Sequence, residues 1–306
     1  LGLLKQYIQY LGYRNDFTLY DDNDNLSLVK NCIVSCGYNL SDYSASSLKA
    51  HFSSFKTNCL PLPERGSAVR EIYEEFLLTQ KAYNVVDFDD LIVLPLQLLE
   101  NNSKILEKVQ DRFRYIMVDE FQDTSLLQYK LVSLIAKKYR NIAVVGDDDQ
   151  SIYSWRGANY RNILSFEEDF PERKEFRLER NYRSSGNILS AANALIEHNK
   201  ERKEKKLWTE SGNGDFISIK GHKSAEKEAL YIAVEVRRLM REFHYNFSDF
   251  AVLVRTNTLL NNIETILLEH HIPVVVSGGT SFFDRKEIRD MLCYLKTILN
   301  RVYDKN

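Results

Sequence analysis

The apolar residues change their period along the chain. Up to about residue 105 they recur at helical steps: in AVREIYEEFLLTQKAY (68–83), Ile72, Phe76 and Leu77 fall three and four residues apart, with acids on the opposite face. DDNDN (21–25), LPLPERG (60–66) and NNS (101–103) interrupt this pattern, and no strand-like alternation stands out. Residues 1–108 therefore read as a helical subdomain. Near residue 113 the texture changes. YIMVD (115–119) and NIAVVGD (141–147) are short apolar runs of the kind that form buried strands, and LLQYKLVSLIAKKY (126–139) between them is an amphipathic helix. This is β-α-β spacing. A second such region begins at EFRLERNYRS (175–184), with helices expected in SSGNILSAANALIEHN, AEKEALYIAVEVRRLMREF and LLNNIETILLEHH, and strands in FISIKGH, DFAVLVRTN and PVVVSGG. Two parallel α/β layers follow, over 109–176 and 177–306. HNKERKEKK (198–206) mixes charges of both signs and reads as a solvated helix end rather than a phosphate-binding patch.

Composition narrows the class. A chain of 306 residues with 44% hydrophobic content has the material for two or more lobes. It carries no apolar run near the roughly 20 residues that cross a bilayer and no basic-apolar leader, so no membrane role and a cytoplasmic location are the default expectations. Cys32, Cys36, Cys59 and Cys293 show neither CxxC pairing nor histidines at zinc-ligand spacing, and read as reduced thiols. Lys+Arg 41 against Asp+Glu 43 leaves a net charge of -2, so no global basic field advertises nucleic acid. A nucleic-acid site would have to be local, built from aromatics and a few arginines. The 18 Tyr and 16 Phe are compatible with one.

Three stretches carry candidate chemistry. In YIMVDEFQDTS (115–125), Asp119 and Glu120 emerge at the carboxyl end of a strand, where open α/β sheets place their ligands; the alternative is a solvated acidic turn. In VVGDDDQSIYSWRGA (144–158), Tyr153, Trp155 and Arg156 alternate out of a polar loop. They could stack on bases and meet phosphate, or anchor a neighbouring helix. In LERNYRSS (178–185), Arg180, Tyr182 and Arg183 stand at the mouth of the next layer, suited to a triphosphate and a purine or to a structural ion pair.

Taken in order, DEFQD, VGDDDQSIYSWRGA and LERNYRS resemble motifs II, III and IV of superfamily 1 DNA helicases of the UvrD, PcrA and Rep type. DFDDL (87–91), WTE (208–210), FAVLVRTN (250–257) and GGTSFFDRKEIRD (278–290) extend the resemblance over nearly the whole chain. It implies RecA-like P-loop NTPase motor domains, an α/β fold of parallel sheets flanked by helices, incomplete here and carrying an inserted helical subdomain. It also implies ATP and Mg²⁺ as cofactors, and single-stranded DNA and single/double-strand junctions as partners. Asp119 would be the metal-side carboxylate and Glu120 a metal neighbour and the general base. Gln150 would sense the γ-phosphate, with Gln122 and Asp123 in the same coupling network. Arg183 would be the arginine finger, and Tyr182 would stack on adenine. Tyr153, Trp155, Arg156, Phe88, Arg255 and Asn257 would face the DNA strand. The implied activity is 3′ to 5′ translocation and unwinding, without sequence preference because every base offers a π-face.

The family's phosphate cradle, GxxxxGKS or GxxxxGKT, is not found in the 306 residues; GHKSAEK (221–227) lacks its spacing and second glycine. The chain opens without Met inside a helical pattern and closes in another, so it reads as a middle piece of a longer protein, expected alone neither to hydrolyse ATP nor to unwind DNA. The same motifs also occur in helicase-nucleases of the AddA and RecB type. A degenerate, non-hydrolysing DNA-binding relative is the other alternative.

Overall fold

The computed structural model describes residues 1–57, 60–154, 157–159, 161–199 and 205–277, with 288, 290–292, 294 and 295. The chain divides into two compact units, one of Leu1–Arg180 with Asn193–Leu207 and Tyr294–Asn306, the other of Asn181–Ala192 and Trp208–Cys293.

The first unit opens with α1 (Gly2–Tyr7), β1 (Thr18–Leu19), α2 (Asp22–Ser35), α3 (Ala45–Lys56), α4 (Ala68–Ala82), β2 (Val85–Val86), α5 (Asp90–Asn101) and α6 (Ser103–Arg112). DDNDN starts a helix rather than only ending one. Asp21 accepts from the backbone of Asn23 and Asp24 while Asp24 accepts from that of Asp21, a reciprocal cap of the first turn of α2. Helices α2, α3 and α4 bury Leu28, Val29, Ile33, Phe52, Ile72, Tyr73 and Phe76 in one core. Leu77 departs from expectation and is exposed. Tyr73 and Gln80 take inward positions with Ile72 and Phe76, and Leu77 falls just beyond the Tyr73 edge of that buried stripe. A short parallel pair also appears where only helices were expected, β1 on β2, with Thr18 opposite Val85 and Leu19 opposite Val86. Two residues per strand are too few to register as a period.

The unit continues with β3 (Ile116–Val118), α7 (Leu126–Ala136), β4 (Ile142–Val144) and α8 (Asn162–Asp169). β3 and β4 pair in parallel, Ile116 with Ile142 and Val118 with Val144. Their alternate residues pack on Phe121, Tyr129, Ala136, Phe166 and Phe170, whereas Met117 is 80% exposed. The expectation of a fully buried strand thus fails on one face: among the described residues, helices α7 and α8 cover only the other. Leu98, Leu99, Ile105 and Val109 of α5 and α6 pack against Leu131, Leu134 and Ile135 of α7, joining the helical part to this layer.

The second unit holds α10 (Ala225–Phe243) and α11 (Leu260–Glu269), and the start of α9 (Gly186–Ile196) lies in it. Ala233, Val236, Leu267 and Ile272 form its core. The three helices fall where the pattern puts them. The three strands do not: residues 216–220, 251–254 and 273–276 carry no ladder, and Phe216 and Leu253 are 91% and 94% exposed. A strand requires a hydrogen-bonded neighbour as well as an apolar run, and no such neighbour pairs with these segments among the described residues.

Candidate functional site

The site grows from the ends of β3 and β4. Backbone pairing continues past both strands: Val145 N donates to Val118 O at 2.8 Å, and Phe121 N donates to Val145 O at 2.9 Å. Asp119–Glu120 and Gly146–Asp147 are therefore held side by side at the carboxyl edge, as the strand-end reading expected. Phe121 is buried against Tyr129 and Phe166, and this anchor leaves the two acids on the exposed side. Glu120 adopts a left-handed backbone, φ 47°, and donates its N–H to Asp119 Oδ1 at 2.9 Å. For a non-glycine residue that conformation is unfavourable by about 1–2 kcal/mol, the kind of local strain that a packed surrounding can hold in place. The next turn is closed by Ser125 and Gln128, which cap α7 reciprocally.

Gln122 is 1% exposed and joins the two loops. Its Nε2 donates to Glu120 Oε2 at 2.8 Å, and its Oε1 accepts from Asp147 N at 2.9 Å. Asp147 Oδ2 in turn accepts from Gln150 Nε2 at 2.8 Å. A continuous chain, Glu120–Gln122–Asp147–Gln150, links the acid to the far loop. Asp123 does not join it; its Oδ1 is buried without a hydrogen-bond partner among the described residues. Space around Gln122 is tight, since a Cβ on Gly146 would stand 2.8 Å from Gln122 Oε1 and 3.3 Å from Gln122 N. Gly146→Ala is expected to destabilise the chain by about 1–3 kcal/mol in urea denaturation, because this neighbour is buried and hydrogen-bonded at both ends. Wild-type stability would mean that Gln122 has room to move.

The far loop carries three acids around one cation. Lys205 Nζ lies 2.5 Å from Asp147 Oδ1, 2.5 Å from Asp148 Oδ1 and 3.2 Å from Asp149 Oδ2. Burial by itself would lower the Lys205 pKa, but the hydrogen bonds to Asp147 and Asp148 outweigh it and raise the value. The solvated-end reading of 198–206 is thus corrected at Lys205, which is half-buried and engaged. The loop then returns to the first motif. Ala158 bridges Ser125, Asn159 N donates to Thr124 O at 3.0 Å, and buried Asn162 donates to Thr124 O at 2.8 Å and Ser125 O at 3.2 Å. Tyr153 is exposed on this tethered segment. Trp155 and Arg156 lie outside the described residues, as do Cys59, Cys293 and most of GGTSFFDRKEIRD.

The remaining candidates are elsewhere. Phe88 is exposed at the entry to α5 in the first unit. In the second, Asn181 Oδ1 accepts from the backbone of Arg183 and Ser184 at 2.9 and 2.7 Å, shaping a bend that leaves Tyr182 and Arg183 exposed. Arg255 and Asn257 are exposed on a separate segment, where a 3-10 turn, Asn257–Leu259, leads into α11. The structure therefore brings together Asp119, Glu120, Gln122 and Gln150 within one unit and leaves Tyr182 and Arg183 to the other.

Comparison with known proteins decides the family. Residues 1–171 match the model of the UvrD/REP helicase N-terminal domain, and residues 176–306 match that of the UvrD-like helicase C-terminal domain. The chain belongs to the UvrD/REP helicase family. An ATP-dependent DNA helicase PcrA from Leuconostoc citreum is 40% identical over 97% of this chain and 41% of its own length. A PcrA from Staphylococcus epidermidis is 40% identical over 97% of this chain and 42% of its own. A probable DNA helicase II homolog from Rickettsia conorii is 39% identical over 98% and 48%. The chain thus spans less than half the length of these relatives.

Family membership carries the RecA-like α/β fold, in keeping with the parallel β3–β4 pair. Sequence reasoning missed Gly146, Asn162 and Lys205. Gly146 offered a signal, a glycine between a strand and an acidic turn; the others take their partners from positions far along the chain, which no local pattern reveals. Among the described residues, no helix is long and apolar enough to cross a membrane.

Proposed function

We propose that this segment supplies the hydrolytic and coupling parts of an ATP-driven motor that steps 3′ to 5′ along single-stranded DNA and opens duplex at junctions. The observation that supports it most is the hydrogen-bond chain from Glu120 through Gln122 and Asp147 to Gln150. A merely solvated acidic turn has no use for a buried glutamine bridging it to a second loop. In this reading Asp119, with Glu120 beside it, offers exposed carboxylate oxygens of the kind a Mg²⁺ ion takes, and the bound ion would neutralise charge on the phosphates of ATP. Glu120 withdraws a proton from the attacking water. Gln150 reads the γ-phosphate and passes its state through Asp147 to the loop bearing Tyr153, Trp155 and Arg156. Tyr182 stacks on adenine, and Arg183 stabilises charge in phosphoryl transfer. Phe88, Arg255 and Asn257 contact the strand. The parts are a helical subdomain over 1–108, the later part of one motor domain over 109–176, and the opening part of a second over 177–306.

The direct test is binding of a fluorescent oligo-dT strand by the 306-residue chain. Base stacking on an aromatic ring contributes about 1–3 kcal/mol per base, so Tyr153→Ala is expected to weaken binding roughly 5- to 150-fold. Unchanged affinity would remove the strand-binding role of this loop.

A further inference from the structure

Beneath the Asp87–Phe88–Asp89–Asp90 turn, part of the DFDDL stretch, lies a buried ion cluster centred on Lys56, which none of the motif stretches includes. The turn leads from β2 into α5 and is closed on itself: Asp87 N donates to Asp90 Oδ2 and Asp90 N donates to Asp87 Oδ1, each at 3.0 Å. Lys56, the last residue of α3, reaches under it. Its Nζ lies 2.7 Å from Asp87 Oδ2, 2.9 and 3.0 Å from the two oxygens of Asp90, and 2.8 Å from Gln80 Oε1. The Phe76 ring lies 5.2 Å from the same ammonium, and Gln80 Nε2 donates to Asp87 Oδ2 at 3.1 Å. The Lys56 side chain is only 4% exposed, and those of Asp87 and Asp90 are nearly as buried.

The Asp87 and Asp90 carboxylates are both engaged inward. The turn's one large apolar side chain, Phe88, points the other way and is 60% exposed. Buried charges are a weak source of net stability, because desolvation offsets most of their attraction, but they do fix geometry once each partner is satisfied. A backbone pinned from inside and an aromatic ring left in water together describe a rigid platform. We infer that Lys56 is a positioning residue, which holds Phe88 as a stacking surface for a nucleobase of the bound single strand. The inference rests on the strand-binding reading above and adds to it a residue outside every motif stretch, 31 positions before Asp87 in sequence.

The test is a double-mutant cycle on the 306-residue chain, with an oligo-dT strand carrying one 2-aminopurine, each protein held below its unfolding transition as monitored by circular dichroism. Phe88→Ala is expected to weaken binding about 5- to 150-fold and to remove the stacking-dependent fluorescence change. Lys56→Met is expected to reproduce most of both effects, and the double variant to bind no more weakly than Phe88→Ala alone. Should Lys56→Met not fold, Gln80→Ala loosens one contact while leaving the charges paired, and it is expected to lower affinity several-fold only when Phe88 is present. Wild-type binding and fluorescence in the Lys56 or Gln80 variant, or losses that multiply with that of Phe88→Ala, would overturn the positioning role while leaving strand binding intact. If Phe88→Ala binds as wild type, the platform itself is wrong. If the unmodified chain binds no single strand, the inference falls together with the reading beneath it.

Discussion

Glu120→Gln is expected to lower ATP turnover about 10²- to 10⁴-fold in the protein that carries this segment, with nucleotide affinity little changed. The substitution keeps the shape of the side chain and an oxygen that still accepts from Gln122 Nε2, a bond of 2.8 Å in the native chain. What it removes is the basic oxygen able to take a proton from water. The left-handed backbone at residue 120 and the buried Phe121 that follows remain available to hold the amide in the carboxylate's place. Phosphate release at saturating ATP and Mg²⁺ measures the effect. Turnover within a few-fold of wild type would assign the base to another residue and reduce Glu120 to a coupling role.

Lys56→Met is expected to destabilise the first unit by about 3–5 kcal/mol at neutral pH, since removing one partner strands buried charge on the other. The loss should depend on pH in a defined direction. Burial, followed by the neighbouring Asp87 charge, pushes the Asp90 pKa up from 3.8 to about 6 against the opposing pull of Lys56. Asp90 therefore contributes stability that is fully present below 3.8 and is lost as pH rises through about 6. Burial would raise Asp87 as well, but there the Lys56 ammonium prevails and the pKa is lowered, so its contribution is present above 3.8 and fades only in stronger acid. Without the ammonium both carboxyls favour protonation, and the deficit of the variant should be smaller at pH 5 than at pH 8 in urea denaturation. An equal deficit at both values would mean that packing under Phe76, rather than charge, is what Lys56 supplies.

The two acids of YIMVDEFQDTS show how far local pattern reaches. An apolar run followed by Asp119 and Glu120 was enough to expect a strand with acids at its carboxyl end, and β3 ends at Val118 as that requires. Helix α10 spans Ala225–Phe243, the whole of its amphipathic stretch, because a period of 3.6 sustained over 19 residues leaves little choice of face. The 216–220 and 251–254 segments have equally apolar sequences and yet form no ladder. A helix satisfies its own backbone; a strand depends on a neighbour.

The family was legible where motifs fix residue types in order, and the structure joins Glu120, Gln122 and Gln150 of two of those motifs in one hydrogen-bonded chain. The partners that tighten the site were not legible. Asn162 is 38 residues from Thr124, Lys205 is 58 from Asp147, and Lys56 is 31 and 34 from its two acids. At such separations, a buried lysine is indistinguishable in sequence from a solvated one. The sequence alone determined the helices, the strand-end acids and the family resemblance, because each is written in short-range period or ordered motif. Only the tertiary structure decided which glutamine bridges the loops, which lysine neutralises which acids, and which aromatic is left exposed, because those depend on closing long loops around desolvated charge.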